Sequence, residues 1–358
     1  MIRPPSLSEE LGLKKPLAIG IIGAGGISEA HAAGYLRVPR EARVVAVADV
    51  VKKTAVRKAR KWHAEAWYLD YKELLRRGDI DAVSVCTPNS THAEISVAAM
   101  DEGKHVLCEK PIAVNLEQAD QMIEAADKNR VILQIGHHNR FDPIFEMSKG
   151  MIDRGLLGKV CMVKARQAHG WGWAKWKPKG WFTQPEWAGG GTLLDNGCHL
   201  FDLLRWLVGD VESVSAYVGA VYHDVKVEDN GIALLRFENG ALGEVDASWT
   251  YRGDQFENYV HIFGSSGTIL ASSSPRRLQV HSEKLRSGRG LRGWIAPFTP
   301  PGEPHIAQVR DFVTCILKGG RPRVSGEDGR RALELVLAAY LSSKTGRSMK
   351  LPISYGKA

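Results

Sequence analysis

The stretch LAIGIIGAGGISEAH, residues 17–31, joins a short apolar strand to a glycine turn and the start of a helix. Gly23 permits a tight turn, and Gly25 lets the backbone approach a pyrophosphate. Ser28 takes the place of the third small residue, which allows close helix packing. The free N–H groups of the helix N-terminus favour phosphate oxygens. The turn therefore predicts a dinucleotide-binding βα unit whose cofactor contacts are Gly23, Gly25, Gly26, Ile27 and Ser28.

The second predicted strand, RVVAVAD, ends in a carboxylate at Asp49. A carboxylate at this position can accept hydrogen bonds from the ribose hydroxyls of NAD, and its charge would repel the 2′-phosphate of NADP. Lys52 and Lys53 follow closely and could pair with that phosphate instead. The sequence therefore predicts that Asp49 binds the cofactor and that the cofactor is NAD, with NADP as the alternative.

Strand-like and helical segments alternate from Leu17 to Gly136. The strand-like runs are apolar on both faces, as in a parallel sheet that helices cover. The alternation favours right-handed crossovers and a doubly wound sheet. We therefore expect an α/β protein in which an arm, residues 1–16, precedes an N-terminal dinucleotide-binding domain, residues 17–138.

After Asn139 the strand-like runs follow one another with few helices. The sequence FENGAL, residues 237–242, places Asn-Gly between two strands, which is a strong hairpin signal. A helical run near the C-terminus ends on Gly346, as helices often do. Residues 139–358 are therefore predicted to form an α+β substrate-binding domain with a large, mostly antiparallel sheet.

The 358-residue chain carries a net charge of +8 and five scattered cysteines. The cysteines form no CxxC pair, which favours reduced thiols in the cytoplasm and argues against a zinc site. No apolar run approaches the ~20 residues that span a bilayer, and the N-terminus lacks the apolar centre of a signal peptide. The densest basic stretch, residues 275–293, is predicted to be a solvated loop rather than a nucleic-acid-binding surface. We expect no metal, no nucleic acid and no membrane partner.

Two predicted strands end in polar loops that contain proline. Ligands of an open parallel sheet bind beyond the carboxyl ends of its strands, so both loops should face the cofactor. The first loop, CTPNSTH, contributes Thr87, Pro88, Asn89 and His92, and the second, CEKP, contributes Glu109 and Lys110. An ammonium at Lys110 could hydrogen-bond a substrate hydroxyl and stabilise a developing alkoxide. Alternatively, Glu109 and Lys110 are an ordinary solvated pair.

The stretch GGGTLLDNGCHLFDLLRWLVG, residues 189–209, places Asp195 and His199 four residues apart. On a helix this spacing puts both side chains on one face. Oxidation of an alcohol needs a base for the hydroxyl proton, and an imidazole that titrates near neutral pH suits that role. Asp195 could orient the imidazole, stabilise its charged form or bind a neighbouring hydroxyl. Alternatively, the stretch is an amphipathic helix in which His199 is only packed or capping.

Together these motifs resemble the glucose-fructose oxidoreductase / inositol dehydrogenase (Gfo/Idh/MocA) family. The similar pieces, in family order, are GIIGAGGISEAH, CTPNSTHAEISVAAMDEGKHVLCEKP, NRFDP, GGGTLLDNGCHLFDLLRWL and GEDGRRALEL. The resemblance implies an NAD(P)-dependent dehydrogenase or reductase that transfers a hydride between nicotinamide and a hydroxyl or keto carbon of a sugar, polyol or sugar derivative. It implies a catalytic group of Lys110, Asp195 and His199, and an open-faced C-terminal sheet that makes homo-oligomer contacts, as in a dimer or tetramer.

The resemblance does not settle which catalytic group takes the proton. We favour His199 as the acid/base and Lys110 as the group that polarises the oxygen. The predicted substrate contacts are His138, Asn139, Arg140, Trp173, Asp195 and His199. Family members more often carry an aromatic or aliphatic residue before the Asn-Arg pair, so the doubled His137-His138 is a departure. Five of the ten tryptophans lie within residues 171–187, where indole faces suit sugar rings as well as subunit interfaces.

Two other functions remain open on the sequence. Some relatives in the family retain NAD and use transient oxidation to eliminate or hydrolyse a glycoside, and the tryptophan-rich segment is compatible with that chemistry. A non-catalytic dinucleotide sensor is the third hypothesis, against which the intact Lys110, Asp195 and His199 argue. The combined motifs favour the first function, a sugar or polyol dehydrogenase.

Overall fold

The computed structural model describes residues 15–170, 180–253, 256–285 and 293–353. A six-stranded parallel sheet forms from the first part of the chain, in the order β3-β2-β1-β4-β5-β6. Its strands are β1 (Leu17–Ile22), β2 (Ala42–Ala48), β3 (Ala66–Tyr68), β4 (Ala82–Val85), β5 (His105–Cys108) and β6 (Leu133–Ile135). The predicted doubly wound sheet is confirmed. The sequence pattern did not indicate β3, because three residues are too few to show a period.

Five helices connect these strands. They are α1 (Ser28–Leu36), α2 (Lys52–Lys61), α3 (Tyr71–Leu75), α4 (His92–Asp101) and α5 (Leu116–Asn129). Local capping chemistry sets two of their starts, since Asp70 accepts the N–H of Lys72 and Asn115 accepts that of Gln118. The strand order reverses between β1 and β4, and open α/β sheets bind their ligands at such a reversal.

A second sheet has eight strands, in the order β13-β12-β11-β7-β10-β9-β8-β14. They are β7 (Val160–Ala168), β8 (Val211–Gly219), β9 (Asn230–Phe237), β10 (Leu242–Ser248), β11 (Glu257–Gly264), β12 (Gly267–Ser274), β13 (Arg276–Ser282) and β14 (Met349–Lys350). Among the described strands, β7 and β10 alone pair in parallel in this sheet, which confirms a mostly antiparallel sheet. The predicted Asn-Gly turn joins β9 to β10, with Gly240 at φ +86°.

The basic stretch 275–293 differs in part from the predicted solvated loop. Its first part is not a solvated loop but strand β13, in which Leu278 and Val280 are buried against the rest of the sheet. Apolar residues recur there at every second position, which is the strand period, although basic neighbours obscured it. The Arg276 guanidinium contacts the Asp142 carboxylate at 3.1 Å. Residues 286–292 lie outside the described residues, so the loop stays a prediction for them.

The remaining α-helices follow β6 in the chain. They are α6 (Pro143–Asp153), α7 (Pro185–Ala188), α8 (Cys198–Val208), α9 (Pro304–Lys318) and α10 (Gly326–Thr345). Helix α10 packs against both α5 and β8, and it ends at Gly346 as predicted. None of the helices in the described part of the chain combines the length and apolar character needed to cross a membrane.

Helix α9 packs on the first sheet, although it comes from the C-terminal part of the chain. Val309 and Phe312 form one buried cluster with Ile19 of β1. The helices α9 and α1 approach closely, since a Cβ on Gly34 would lie 2.6 Å from the Val309 Cβ. The predicted domain boundary after residue 138 therefore separates the strands of the two sheets, but it does not separate α9 from the first sheet.

Replacing Gly34 with Ala tests this close approach. The added methyl group would meet the Val309 side chain, so we expect the free energy of unfolding in urea to fall by about 1–3 kcal/mol. Gly150→Ala in α6 is the matched control, because a Cβ there would meet no atom within 4 Å. The control should be as stable as the parent or slightly more stable. Equal stability of the two variants would contradict the packing described.

Candidate active site

The glycine turn between β1 and α1 forms an open cradle. Gly23 adopts φ +84°, and a Cβ on it would lie 2.6 Å from a carbonyl oxygen after β4, so this position requires glycine. Gly25 and Gly26 are exposed, and a Cβ on either would meet no atom within 4 Å. Ile27 lies at the N-cap of α1, and the buried Ser28 hydroxyl donates to the Gly25 carbonyl at 2.7 Å. The turn thus leaves room for a pyrophosphate at the helix N-terminus, and its residues fit NAD.

Asp49 follows β2 and lies beside this cradle. Its two carboxylate oxygens accept the N–H groups of Ala24 and Val51, each at 2.8 Å. The carboxylate fixes the glycine turn, yet it stays half-exposed with lone pairs that ribose hydroxyls can use. The Lys52 ammonium lies 5.7 Å from the centroid of the Trp67 ring. The charge of the Asp49 carboxylate, which would repel a 2′-phosphate, favours NAD over NADP at this end of the sheet.

The CTPNSTH loop contains residues of two kinds. Thr87 and Pro88 are half-exposed after β4, where they can line the cofactor cleft. Asn89 is buried, and its Nδ2 donates to the Ala188 carbonyl at 2.8 Å. His92 is fully buried, and its two ring nitrogens contact the carbonyl oxygens of Pro111 and Thr87 at 2.7 and 3.0 Å. Asn89 and His92, which the sequence predicted to bind the cofactor, therefore hold neighbouring loops in place.

Glu109 lies beneath the cradle in a buried polar network. Its carboxylate contacts the His31 Nε2 at 2.8 Å, and the His31 Nδ1 contacts the Ser84 hydroxyl at 3.0 Å. The Tyr35 hydroxyl reaches the same serine at 2.8 Å. Burial would raise the pKa of Glu109, but the hydrogen bond with His31 and nearby positive charges lower it. Glu109 is thus a buried support of the loop and not part of a solvated surface pair.

An ion pair connects the end of β5 with the second part of the chain. The Lys110 Nζ lies 2.5 Å from the Asp195 Oδ1 and donates to the Asp195 main-chain carbonyl at 3.0 Å. Both side chains are mostly buried. Burial would lower the pKa of Lys110, but the charge of Asp195 and the hydrogen bond to it raise that pKa. Asp195 therefore favours the charged form of Lys110.

Asp195 lies in an irregular helix start. Leu193–Gly197 form a π-helical turn that leads into α8. The Glu228 carboxylate accepts the N–H groups of Gly191 and Leu193 at 2.8 and 3.0 Å, and the Tyr340 hydroxyl donates to it at 2.7 Å. A Cβ on Gly191 would lie 1.8 Å from the Glu228 carbonyl oxygen, so the chain must be glycine there. The sequence analysis missed Glu228, because no local pattern connects it with residues 189–199.

His199 is 3% exposed at the start of α8. Its ring centroid lies 4.6 Å from that of His138 and 5.4 Å from that of His137, both edge-on. Its Nδ1 has no hydrogen-bond partner among the described residues. Burial first, and then the positive charges of His138 and Lys110, lower the pKa of His199 well below the usual 6.5. The imidazole is therefore neutral at pH 7 and can accept a proton.

The predicted substrate residues occupy different environments. His138 stacks on His305 with centroids 3.9 Å apart. Asn139 is buried with its Nδ2 unpartnered among the described residues. Arg140, in contrast, pairs with the Asp202 carboxylate at 2.6 Å and the Asp328 carboxylate at 3.0 Å, so protein carboxylates rather than substrate occupy its guanidinium. Trp173, Trp171 and Trp176 lie outside the described residues.

The second sheet contributes polar residues that the sequence analysis missed. Gln167 of β7 and Asn258 of β11 are register partners on the face that carries the buried core. The Asn258 Nδ2 donates to the Asn139 Oδ1 at 3.5 Å. Gln167 Oε1 and Asn258 Oδ1 have no partner within the described part of the chain. His169 follows β7 and hydrogen-bonds Asn196 next to Asp195. The polar residues of the site therefore come from strands and helices that are far apart in sequence.

Comparison with known proteins agrees with this geometry. Residues 17–137 match the oxidoreductase family with an NAD-binding Rossmann fold, and residues 145–270 match the GFO/IDH/MocA C-terminal domain. Fold and site thus define an oxidoreductase that uses NAD. The chain belongs to the Gfo/Idh/MocA family, which confirms the predicted family, fold class and cofactor.

The similarity to known proteins extends over both sheets. The chain is 33% identical to the myo-inositol 2-dehydrogenase of Thermotoga maritima over 94% of its own length and 98% of that protein. It is 29% identical to the scyllo-inositol 2-dehydrogenase (NAD(+)) of Bacillus subtilis, over 93% of this chain and 96% of that protein. A solved structure of levoglucosan dehydrogenase in complex with NADH and levoglucosan has a TM-score of 0.88 at 27% identity, with 94% of this chain and 100% of that chain covered.

Gly25→Ala separates a role in cofactor binding from a role in folding. A methyl group at Gly25 meets no protein atom within 4 Å, so thermal unfolding should be unchanged. The same methyl group would occupy the space of the pyrophosphate, and we expect NADH to bind about tenfold more weakly or worse in a fluorescence titration. Gly78→Ala, at an equally open loop position, should bind NADH as the parent does. Unchanged NADH affinity in Gly25→Ala would place the pyrophosphate elsewhere.

Proposed function

We propose that this protein oxidises a hydroxyl-bearing carbon of a cyclic polyol or sugar and transfers the hydride to NAD. The proposal depends on one observation: the mostly buried Lys110–Asp195 ion pair lies at the turn that leads directly into the helix with the buried His199. Relatives named as inositol dehydrogenases and as levoglucosan dehydrogenase support the substrate class. Lys110, Asp195 and His199 form the proposed catalytic group.

His199 is the proposed base. Bound NAD supplies the nicotinamide carbon that accepts the hydride. The neutral imidazole accepts the hydroxyl proton of the substrate while the hydride leaves. Because the pKa of His199 is lowered, protonation of the ring and loss of oxidation activity are expected only well below pH 6.5. In the reverse direction the protonated ring returns its proton to the oxygen.

Lys110 is the proposed electrophile. Its ammonium, kept charged by Asp195, has N–H groups that can donate to the substrate oxygen and stabilise the alkoxide that forms as the proton leaves. Asp195 limits the motion of the ammonium through the 2.5 Å contact. This division of roles supports the sequence-based preference for His199 as the acid/base.

The proposed cofactor site includes the cradle of Gly23, Gly25, Gly26, Ile27 and Ser28, together with Asp49, Thr87 and Pro88. Residues 17–138 hold this site in the proposed domain division, and residues 139–358 supply the substrate side. Asn139, Gln167 and Asn258 have unpartnered amide atoms, as noted above.

A panel of cyclic polyols and sugars with NAD⁺ tests the proposed reaction through the absorbance of reduced cofactor. His199→Asn should lower kcat by about 10²–10⁴-fold because the proton acceptor is lost, while NADH affinity stays unchanged. His63→Asn is the matched control, since His63 is exposed and its positive φ of +57° suits asparagine.

Different outcomes identify the other functions. Absence of turnover with every carbohydrate, despite tight NADH binding, would contradict the dehydrogenase. Co-purified NAD that cycles without net reduction would indicate glycoside cleavage through transient oxidation. Unimpaired function of His199→Asn would indicate a dinucleotide sensor.

We further propose that the chain forms a homo-oligomer through the open face of the second sheet. Tyr217 and Ile232 are opposite each other on β8 and β9, and both are more than half exposed. Leu234, Leu242 and Met162 extend this apolar surface, and such surfaces mark interaction sites. The five cysteines are free thiols, which supports the proposed location in the cytoplasm.

Ile232→Glu tests the oligomer. A carboxylate in the middle of the apolar face would be desolvated by the partner subunit, so light scattering after gel filtration should show a dimer or tetramer for the parent and monomers for the variant. Leu36→Glu, at an exposed position of α1, should keep the parental mass. A monomeric parent protein would contradict the proposal.

A further inference from the structure

Three imidazoles form a continuous ring contact at the cleft. The His138 ring lies between His305 and His199, stacked on the first at 3.9 Å and edge-on to the second at 4.6 Å. His138 and His305 are half-exposed, whereas His199 is buried. The contact therefore runs from a partly solvated ring to the proposed catalytic base.

His305 enters this contact from a distant part of the chain. It occupies the second position of α9, whose apolar side is buried in the core of the first sheet. The anchoring of α9 against α1 holds the His305 ring at the end of the stack. Because His138 leads the 3₁₀ turn His138–Phe141 after β6, the stack exists only when both parts of the chain are folded together.

Titratable and charged groups on several elements act on the three rings or on their neighbours. Lys110 and His137 act on His199 and His138, and Glu109, His31 and Lys110 act on His305. One step further out, Asp202, Arg140 and Asp328 act on His137, and Asp195 acts on His169. Ion pairs engage the other carboxylates, since Lys110 pairs with Asp195 and Arg140 with Asp202 and Asp328. Glu109 contacts His31 at 2.8 Å, and it is the carboxylate whose charge favours a proton on His305, an effect that the charge of a protonated His31 opposes.

The cluster is suited to proton binding rather than to metal binding. Within residues 15–170, 180–253, 256–285 and 293–353, no group of three His, Cys, Asp or Glu side chains is arranged to hold a metal ion. A proton on one imidazole disfavours a proton on its neighbour, because like charges at ring contact repel each other. The three rings therefore titrate as a coupled set, in which the first proton decides the state of the others.

We propose that His305 takes up the first proton of this set on acidification and, through the stacked His138, keeps His199 neutral as the base. The inference rests on the proposed function, in which His199 accepts the substrate proton. His305 and His138 act here as positioning residues, which set the charge and ring position of His199 without removing a proton from the substrate.

The surroundings of each ring support this order of protonation. Burial lowers the pKa of His305, but the negative charge of Glu109 opposes that change. His138 has no such carboxylate, and burial and then the charge of His305 lower its pKa well below the usual value. For His199, burial and then the charge of His138 lower the pKa in the same way. Protonation of His305 thus disfavours protonation of His138, and protonation of His138 disfavours protonation of His199.

NMR titration of ¹³C-labelled histidine in the full-length protein tests the order directly. His199, His138 and His305 signals are assigned by their loss in single substitutions. In the parent protein, we expect His305 to titrate at the highest pH of the three. If His199 titrates first, the proposal is overturned, whatever the enzyme's activity.

Two variants test the coupling. His305→Phe and His138→Phe each keep a ring in the stack and remove its charge, so the His199 midpoint should rise by about half a pH unit or more. The acid limb of kcat/KM should move to higher pH in the same direction. His63→Asn should leave both values unchanged. An unchanged or lower His199 midpoint in both variants would overturn the proposal.

The NMR midpoints test the order of protonation, and carbohydrate oxidation tests the proposed function, so the two can fail independently. If no carbohydrate is oxidised, the proposed function fails, yet the NMR midpoints still decide the order of protonation. If the enzyme is active but the midpoints do not move, only the role of the stack fails. If a variant unfolds, the titration of the parent protein alone decides the order in which the three histidines are protonated.

Discussion

The ion pair between Lys110 and Asp195 joins the end of β5, in the first part of the molecule, to the turn that leads into α8 in the second. An unpaired ammonium in this mostly buried position would lose its charge or destabilise the fold by several kcal/mol. With Asp195 at 2.5 Å it stays charged. The same contact fixes the end of β5 relative to the start of α8, so the cofactor cradle and His199 are held together.

Hydrogen bonds from neighbouring elements keep this ion pair in position. Glu228 accepts the N–H groups of Gly191 and Leu193 and so fixes the turn that carries Asp195. The close approach of that turn requires glycine at 191. On the other side, Asn89 and the buried His92 bind main-chain carbonyls of adjacent loops. Hydrogen bonds to main-chain groups thus hold the loops and the turn on both sides of the ion pair.

Sequence reasoning proposed site residues where a local motif marks them. Gly23, Lys110 and His199 were predicted because a turn, a strand end or a helical spacing marks each of them. Arg140 was predicted to bind substrate, but carboxylates from α8 and α10 surround it. His305 was missed because its neighbour His138 is 167 residues away in sequence, and a lone histidine before a helix gives no signal.

Local sequence patterns specify the strand–helix alternation, the glycine turn, the Asn-Gly hairpin and the motif residues. These features depend on backbone conformation and on periodic burial, which neighbouring residues specify. The proton affinity of each buried group depends instead on the folded arrangement. Burial, the Lys110–Asp195 contact and the His138–His305 stack change proton affinities, and they arise from elements that are distant in the chain. Electrostatic interactions depend on distance and burial in the folded protein, which no local sequence pattern encodes.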